Sequence, residues 1–455
     1  MAVERYEFTE GTSNKFWEIA LAGKEFTARW GRIGASSRNE KRQAFPDVAA
    51  ARKAYQRLID EKTKKGYRRV GAEAKQTAKT AAKPSKTAVK PTKINPKLEA
   101  VLAEAPEDVG SWQVYADWAM ESGEPWGEVI AHACAGKKPK KLQDEAAATM
   151  LGGLDGAVVK WKFGTLEELE LCPEDRDRED DGSGDNPMVA ALKRVLAHPA
   201  GRLIRKLTLG LSPFDDCDWD FEPLLKVIGK AGSLPLLHTL DLSRDAEFMD
   251  QDSWRHLGDL RPLWRVAPRL RYLKIKASAK PCTLGAVVAP VLETLVFESS
   301  GLDKSVPIDI GKAELPALRH LELMFGREDY GNTGSVKNLA GILAGSGLPK
   351  LEYLGLANSE WETDLIEAVA KSAVLPRLKV LDLSKGTLHA EGSAALLAHA
   401  PQFRHLDKLD LEDNYLLPEH TKALRKAIPH ASLSNQREID DYDGDVGYRY
   451  CSIGE

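Results

Sequence analysis

The chain has 455 residues, too many for one ordinary core, and this length predicts about three domains. With 43% hydrophobic and 29% charged residues, the composition is typical of a soluble globular protein. Pro290 and Glu293 interrupt the most apolar stretch and the first ten residues hold no apolar core, so neither a membrane span nor a secretory signal is expected.

Five cysteines are scattered along the chain, at positions 134, 172, 217, 282 and 451, and none forms a CxxC pair. An odd, dispersed set argues against both a disulfide framework and a zinc site. We therefore expect reduced thiols, no bound metal or other cofactor, and a cytoplasmic location.

The overall charge of −4 conceals a strong asymmetry. Residues 1–98 hold 23 basic and 10 acidic residues, a net charge of +13, whereas the remaining residues carry −17. A basic segment of this kind can attract a polyanion.

Residues 1–70 are predicted to form a small antiparallel sheet with one helix packed on it. Four short runs with aromatic or alternating residues, RYEFTEG, KFWEIAL, EFTARWGRI and EKRQAF, are separated by turn residues. Asp47 can cap a helix from Val48 to Lys65, which Gly66 ends.

Residues 71–97 hold seven lysines spaced through Ala, Thr, Pro and Ser, with a single Glu. Such a composition cannot build a core, so this segment is predicted to be a flexible linker. It is either a solvated spacer or a polycation that lies along nucleic-acid phosphates, and the two roles are compatible.

Residues 98–145 are predicted to form a small helical unit of three helices, in which Trp112, Trp118 and Trp126 are core or docking aromatics. The stretch from Val114 to Ile130 resembles a short companion domain found beside repeats in large bacterial multidomain proteins, for which no activity is established.

Residues 154–435 contain an internal repeat of the form L-x-x-L-x-L. It begins nine times, at residues 166, 204, 237, 270, 292, 318, 351, 378 and 406. Helical stretches lie between the matches, so the array resembles a leucine-rich repeat solenoid, with strands on the concave side and helices outside. The Asn that is expected after each repeat strand is clear only at Asn414. Residues 173–186 are predicted to be an acidic loop inserted between two repeats.

In each repeat, the strand residue between the last two apolar positions should face the concave surface. Five of these nine residues are acidic, and the residues selected as a protein-binding face are Glu170, Asp241, Lys274, Glu322, Asp382 and Asp410. Each alone is most simply a solvated strand position, but together they favour a basic protein or peptide as partner. The chain's own basic N-terminal segment is an alternative, intramolecular partner. Residues 436–455 are predicted to be an acidic tail.

Residues 1–70 resemble the WGR domain, which is named for the sequence that stands here as Trp30, Gly31 and Arg32. The surrounding residues also fit, with Asn14 to Ile19 on the earlier strand and Lys64 to Tyr67 after the helix. WGR domains occur in DNA-dependent poly(ADP-ribose) polymerases, where they bind DNA ends and nicks, and in many bacterial proteins of unassigned role.

The resemblance implies that Trp30 packs on a nucleotide and that Arg32 contacts the DNA. An exposed indole stacks without sequence preference, and a guanidinium pairs with phosphate. The selected nucleic-acid-binding residues are Trp30, Gly31, Arg32, Lys15, Arg38, Lys41, Arg42 and Tyr67. Trp17, which alternates on a strand, is expected to be a core residue.

No phosphate-loop, zinc-protease or serine-hydrolase motif occurs, so no enzyme activity is expected. Two functions remain. In the first, the protein is a nucleic-acid-binding adaptor whose repeats recruit a protein. In the second, it is a protein-interaction scaffold or regulator in which the WGR domain binds protein and DNA binding is incidental.

Overall fold

A computed structural model describes residues 3–8, 15–33, 39–45, 48–64, 67–69, 93–154, 156–172, 186–211, 219–244, 255–442 and 445–453. The chain divides into two compact units, one near the N-terminus and one that holds most of the remaining residues. Each unit is described by itself below.

The first unit is a five-stranded antiparallel sheet with one long helix. Its elements are β1 (Val3–Phe8), β2 (Lys15–Ala22), β3 (Glu25–Arg32), β4 (Asn39–Ala44), α1 (Val48–Lys64) and β5 (Arg68–Arg69). The strand order is β4-β3-β2-β1-β5, so β4 and β5 are the edges. The four longer strands and the helix agree with the elements expected from the sequence.

One face of this small sheet forms the core because apolar residues alternate along the central strands. Phe26 and Ala28 on β3 are buried, as are Trp17 and Ile19 on β2. Residues of α1, including Ile59, pack against the same cluster. The alternation therefore fixes which face of each strand turns inward.

The second unit opens with four helices, α2 (Pro96–Glu104), α3 (Val109–Glu121), α4 (Trp126–Cys134) and α5 (Lys140–Leu151). Asn95 caps α2 by accepting from the backbone N–H of Leu98, and Asp108 caps α3 in the same way. Helix α2 begins inside the segment expected to be linker, because Asn95-Pro96 is a start signal. Helix α5 was not expected from the sequence.

These helices do not stand apart from the repeats. Trp112 is fully buried in a cluster that also contains Leu203 and Leu236 of the repeat region. The guanidinium of Arg202 pairs with the carboxylate of Glu99 on α2, and both side chains are buried. The helical segment therefore packs against the residues that precede the early repeat strands β8 (Lys206–Gly210) and β10 (Thr239–Arg244).

The repeats build one eleven-stranded sheet in which neighbouring strands follow chain order. All nine predicted repeat strands are present and pair in parallel. A tenth short strand follows them, and an antiparallel strand, β6 (Ala157–Lys162), precedes them. The parallel strands are β7 (Thr165–Leu171), β8 (Lys206–Gly210), β10 (Thr239–Arg244), β12 (Tyr272–Lys276), β14 (Thr294–Glu298), β15 (His320–Met324), β16 (Tyr353–Ala357), β17 (Val380–Asp382), β18 (Lys408–Asp410) and β19 (Ala431–Ser432).

The leucines of the repeat explain why this sheet is stable. Leu240 and Leu242 on β10, for example, are inaccessible to solvent, and the equivalent pairs on the other strands stack into the same core cluster. Helices close that face of the sheet: α6 (Pro187–Ala197), α7 (Pro199–Arg202), α8 (Glu222–Lys230), α9 (Arg261–Val266), α10 (Ser305–Lys312), α11 (Ala340–Ala344), α12 (Glu362–Ala370), α13 (Ala390–Ala398), α14 (Ala400–Phe403) and α15 (Pro418–Ala427).

Three further short strands form a second, parallel sheet beside the main one. They are β9 (Trp219–Asp220), β11 (Arg255–Asp259) and β13 (Ser278–Thr283), and each follows a strand of the main sheet. The uneven spacing of the repeats is therefore due in part to these inserted strands. The acidic insert predicted at 173–186 lies outside the described residues except for Asn186.

A buried amide ties consecutive repeats together at the ends of their strands. The Asn414 side chain donates to the carbonyls of Leu383 and Leu411 and accepts from the N–H of Leu388. One repeat later, Gln436 takes over this role, donating to the Leu411 carbonyl and accepting from Leu416. The sequence search for Asn alone therefore missed a functional equivalent.

The predicted acidic tail is not a free tail over its described length. Residues 440–442 and 445–448 form a hairpin, β20 (Asp440–Tyr442) and β21 (Asp445–Tyr448). The following segment, 449–453, packs along the array and is called the strap below. The Asn358 amide holds the backbone of Ile453 at both its N–H and its C=O, at 3.0 and 2.9 Å.

Two tyrosines and an arginine add to the strap's attachment. The Tyr415 hydroxyl donates to the Tyr450 carbonyl at 3.0 Å and accepts from the Tyr450 N–H at 2.9 Å. Arg437 donates to the same carbonyl at 2.6 Å. Cys451 is the buried residue of the strap itself, and this burial raises the pKa of its thiol to about 12.

Glu99→Ala is expected to destabilise the second unit by about 3–5 kcal/mol, because it leaves the Arg202 charge buried without a partner. Urea denaturation of the full chain, followed by circular dichroism, measures this. Glu104→Ala on the same helix removes an exposed pair with Arg269 and should cost less than about 1 kcal/mol. Equal losses from the two variants would contradict a buried pair at Glu99.

Tyr415→Phe is expected to increase the alkylation rate of Cys451 by at least about tenfold. Each of the two lost hydrogen bonds stabilises the closed strap by about 1 kcal/mol, so their loss raises the population of the open strap. Mass spectrometry after iodoacetamide treatment at pH 8 measures the rate. Tyr272→Phe, on the fourth repeat strand, is the control, and an unchanged rate in Tyr415→Phe would refute this role for the hydroxyl.

Candidate nucleic-acid interface and open sheet face

The Trp-Gly-Arg sequence lies in a regular strand, at the end of β3. Trp30 is paired with Trp17, Gly31 with Phe16 and Arg32 with Lys15 on the neighbouring strand β2. Gly31 therefore has ordinary strand backbone, and its lack of a side chain leaves space opposite the Phe16 ring. The motif is an aligned part of the sheet and not an isolated turn.

The two paired tryptophans differ in exposure. Trp17 is 3% exposed and its ring lies 5.6 Å from that of Tyr6, whereas Trp30 packs on the edge of the same cluster and stays partly exposed. Trp17 is thus a core residue, as expected. Part of the Trp30 indole remains available for contact with a ligand.

The other selected residues are divided between the faces of the sheet and its core. Lys41 and Arg42 are both exposed on edge strand β4, and as neighbours they turn to opposite faces. Tyr67 is 8% exposed, with its ring 5.5 Å from that of Phe8. The burial of Tyr67 gives it a packing role and leaves little of its ring to stack on a base. Arg38 lies outside the described residues, and for Lys15 and Arg32 only the strand position is described.

The outer face of the small sheet carries an ion-pair network that the sequence reading did not identify. Arg5 pairs with Glu7 at 2.8 Å and with Glu18 at 2.7 Å, and its guanidinium lies 4.5 Å from the Phe16 ring centre. These carboxylates raise the pKa of Arg5. Because Glu7 and Glu18 are both paired with Arg5, their negative charges are partly neutralised. This face therefore does not simply repel phosphate.

In the second unit, the face of the large sheet opposite to the helices is here called the open face. The positions predicted to face a ligand pair with one another from strand to strand and make one continuous row. This row is called the second row, because another row, described below as the first, lies two residues earlier on each strand. Its members are Glu170, Thr208, Asp241, Lys274, Val296, Glu322, Gly355, Asp382 and Asp410. The sequence alignment of the repeats thus predicted the register correctly.

Cations neutralise the two ends of the second row. Arg244 pairs with Glu170 at 2.8 Å, and Lys408 pairs with Asp410 at 2.7 Å. Lys274 itself pairs with Glu298 at 2.9 Å. The row is therefore less uniformly acidic than the count of carboxylates suggested.

Three aspartates of the row also have a structural role. Asp241, Asp382 and Asp410 each accept a hydrogen bond from the backbone N–H two residues later, at 2.9, 2.9 and 3.1 Å. Such bonds end the strand and direct the chain towards the next loop. Part of the acidic pattern is thus explained by turn formation alone.

A first row runs beside the second, two residues earlier on each strand, and the sequence reading did not consider it. Its members are Glu168, Lys206, Thr239, Tyr272, Thr294, His320, Tyr353, Val380 and Lys408. The rings of His320 and Tyr353 stack, with centroids 3.8 Å apart and an angle of 11°. The signal was present in the sequence as an aromatic residue at the same repeat position.

Across the described ranges, no three His, Cys, Asp or Glu side chains come together as a metal site requires. The described helices include none that is both long enough and apolar enough to cross a membrane.

Comparison with known proteins identifies the first unit. Residues 4–74 match the WGR domain family and therefore form a WGR domain, a nucleic-acid-binding class of module. No curated protein matches the chain.

The solved structures similar to the chain include the following two. A crystal structure of a Bacteroides fragilis protein is 21% identical, with 99% of each chain covered and a TM-score of 0.52, which shows a shared fold alone. A leucine-rich repeat protein from Leptospira interrogans is 16% identical, covers 53% of this chain and 56% of its own, and has a TM-score of 0.29, too low to support an argument.

Trp17→Ala is expected to destabilise the first unit by about 3–5 kcal/mol, as for a fully buried tryptophan. Trp30→Ala should cost clearly less, because its indole contacts the core on one side only. Hydrogen exchange of β2 and β3 in the full chain measures both. An equal loss of protection would place Trp30 in the core and remove it from the candidate interface.

Proposed function

We propose that the protein is a non-enzymatic adaptor whose WGR domain binds DNA, with a preference for ends or nicks, and whose repeats recruit a protein. The observation that carries the DNA-binding part is the match of residues 4–74 to the WGR family together with a partly exposed Trp30 in a segment of net charge +13. The protein-binding part is supported by the long open face of the repeat sheet.

The chemistry of the interface supports ends and nicks over intact duplex. An indole can stack on a base or sugar only where a nucleotide is accessible, and an interruption of the duplex provides one. Basic side chains such as Arg32 and Lys41 would hold the adjoining phosphates. The lysine-rich linker would add binding that lacks structural preference and weakens with salt.

Fluorescence anisotropy with the full chain tests the DNA-binding part. The ligands are intact duplex, nicked duplex, duplex with 5′-phosphorylated ends and single-stranded DNA, at two salt concentrations. We expect nicked or phosphorylated DNA to bind about tenfold more tightly than intact duplex, which corresponds to about 1.4 kcal/mol. Trp30→Ala combined with Arg32→Gln should abolish this preference.

Arg52→Gln is the matched control, because it removes the same charge from an exposed position on α1. It should lower all affinities slightly and leave the preference unchanged. If the double variant keeps full affinity while binding is measurable, the WGR interface is refuted. If all DNAs bind alike and high salt removes them all, the alternative of a protein-interaction scaffold replaces the adaptor.

A further inference from the structure

We infer that the groove between helices α6 and α8 is a docking site for an acidic amphipathic helix of a partner protein. The groove lies on the helix side of the repeat sheet, opposite to the open face, and has a volume of about 490 Å³. The inference therefore goes beyond the proposed function, because it adds a surface that is neither the open face nor the DNA interface.

The floor of this groove is apolar, because each helix turns a stripe of aliphatic and small side chains towards it. The lining positions are 189, 193, 196 and 197 on one wall and 223, 226, 227, 230 and 231 on the other, which is helical spacing. The apolar members are Val189, Leu196, Ala197, Pro223, Val227 and Ala231. Leu196 and Val227 are buried, whereas the other four keep part of their surface open to solvent. A ligand in the groove therefore has apolar surface to cover.

Exposed lysines stand on both walls of the groove. Lys193 belongs to α6, and Lys226 and Lys230 are one helical turn apart on α8. Lys226 pairs with Glu222 of its own helix at 2.8 Å. In the part of the chain that the structure describes, no carboxylate pairs with Lys193 or Lys230. These two ammonium groups are therefore available to the acids of a ligand that covers the floor.

The positive charge is local to this part of the helix side. Arg265 of α9 adds to it, since its guanidinium donates to the carbonyl of Gly229 on α8 at 3.2 Å. Farther along the array, α12 carries Glu362, Asp364 and Glu367 and no lysine or arginine. Residues 99–455 together have a net charge of −17. An acidic ligand is therefore attracted to the groove and repelled by much of the remaining surface.

The walls of the groove favour a helical ligand over an extended one. Both walls are helices whose interior backbone groups bond within the helix, so they offer no hydrogen bonds to an extended strand. A helical ligand satisfies its own backbone and packs its side chains between those of the two walls. Each wall spans nine residues, or about 12 Å, which matches about two turns of a helix. Acids on both sides of an apolar stripe would then meet the lysines of both walls.

The test measures anisotropy of a fluorescein-labelled eighteen-residue peptide of Glu, Ala and Leu with the full chain, at about 0.15 M salt. In this striped peptide the leucines form one helical stripe with glutamates on both sides. A scrambled peptide of the same composition keeps the charge and loses the stripe, and a third peptide has Gln in place of Glu. The lysine-rich segment 71–97 would bind the striped and scrambled peptides alike. We expect the striped peptide to bind at least about tenfold more tightly than either of the others.

Lys193→Gln combined with Lys230→Gln is expected to weaken binding of the striped peptide at least about tenfold. Lys312→Gln combined with Lys337→Gln removes two exposed lysines later in the array and should weaken it less than about twofold. Ala197→Glu leaves both lysines in place and adds a negative charge at an exposed position of the floor, so it should weaken binding several-fold.

Circular dichroism melting checks that each variant folds, and Lys230→Gln alone serves if the double variant does not. Equal binding of the striped and scrambled peptides, or equal losses in the groove and control variants, overturns the inference. Vesicles of phosphatidylserine and phosphatidylcholine are tested in parallel, and lysine-dependent binding to them without peptide binding overturns it in favour of a membrane surface. Affinity for nicked DNA is measured on the same variants and should not change, so a failure of DNA binding and a failure of the groove are seen separately.

Discussion

The stacking of leucines between parallel strands is the constraint on which the second unit depends. Each of the nine L-x-x-L-x-L repeats offers two buried apolar side chains at its strand, mostly leucines, and cannot bury them alone, so every repeat needs its neighbours. Because the side chains of a strand alternate, the same stacking turns the intervening residues to the open face in fixed rows. The core thus determines where any ligand-contacting residue can be, although it leaves the identity of that residue free.

The segments on either side of the repeats also depend on this packing. Before the repeats, α2 and α3 pack on Leu203 and Leu236 and bury the Glu99–Arg202 pair. After them, Gln436 donates to the Leu411 carbonyl, and the strap bonds to the Asn358 amide of an earlier repeat. The helical segment and the tail therefore contribute to the stability of the second unit and are not separate from it.

Much of this fold could be predicted from the sequence, since periodicity reports burial directly. The nine repeat strands, their register and the sheet-plus-helix form of the first unit all follow from spacing. The role of Gln436 was not predicted because Asn was the expected residue, although Gln436 follows Leu433 by three residues just as Asn414 follows Leu411. The strap was also missed, since the partnership of Asn358 and Ile453 spans 95 residues and has no local pattern.

The candidate sites show the same division. The alignment of the repeats predicted which residues share the open face. The cations that neutralise Glu170 and Asp410 come from other strand positions, and only the three-dimensional structure shows them. Likewise, the motif located Trp30, but its partial burial against the core depends on the pairing of β2 with β3. Sequence therefore specifies position along the sheet better than it specifies charge and exposure.

The attachment of Ile453 to Asn358 has a consequence for the newly made chain. Chains are synthesised at about 5–20 residues per second, so about 5–19 s pass between the appearance of the asparagine and that of its partner. During that interval the Asn358 amide is open to water, while the leucine core beneath it can already assemble. This edge of the array therefore closes after the core has formed, because closure needs a residue made 95 positions later.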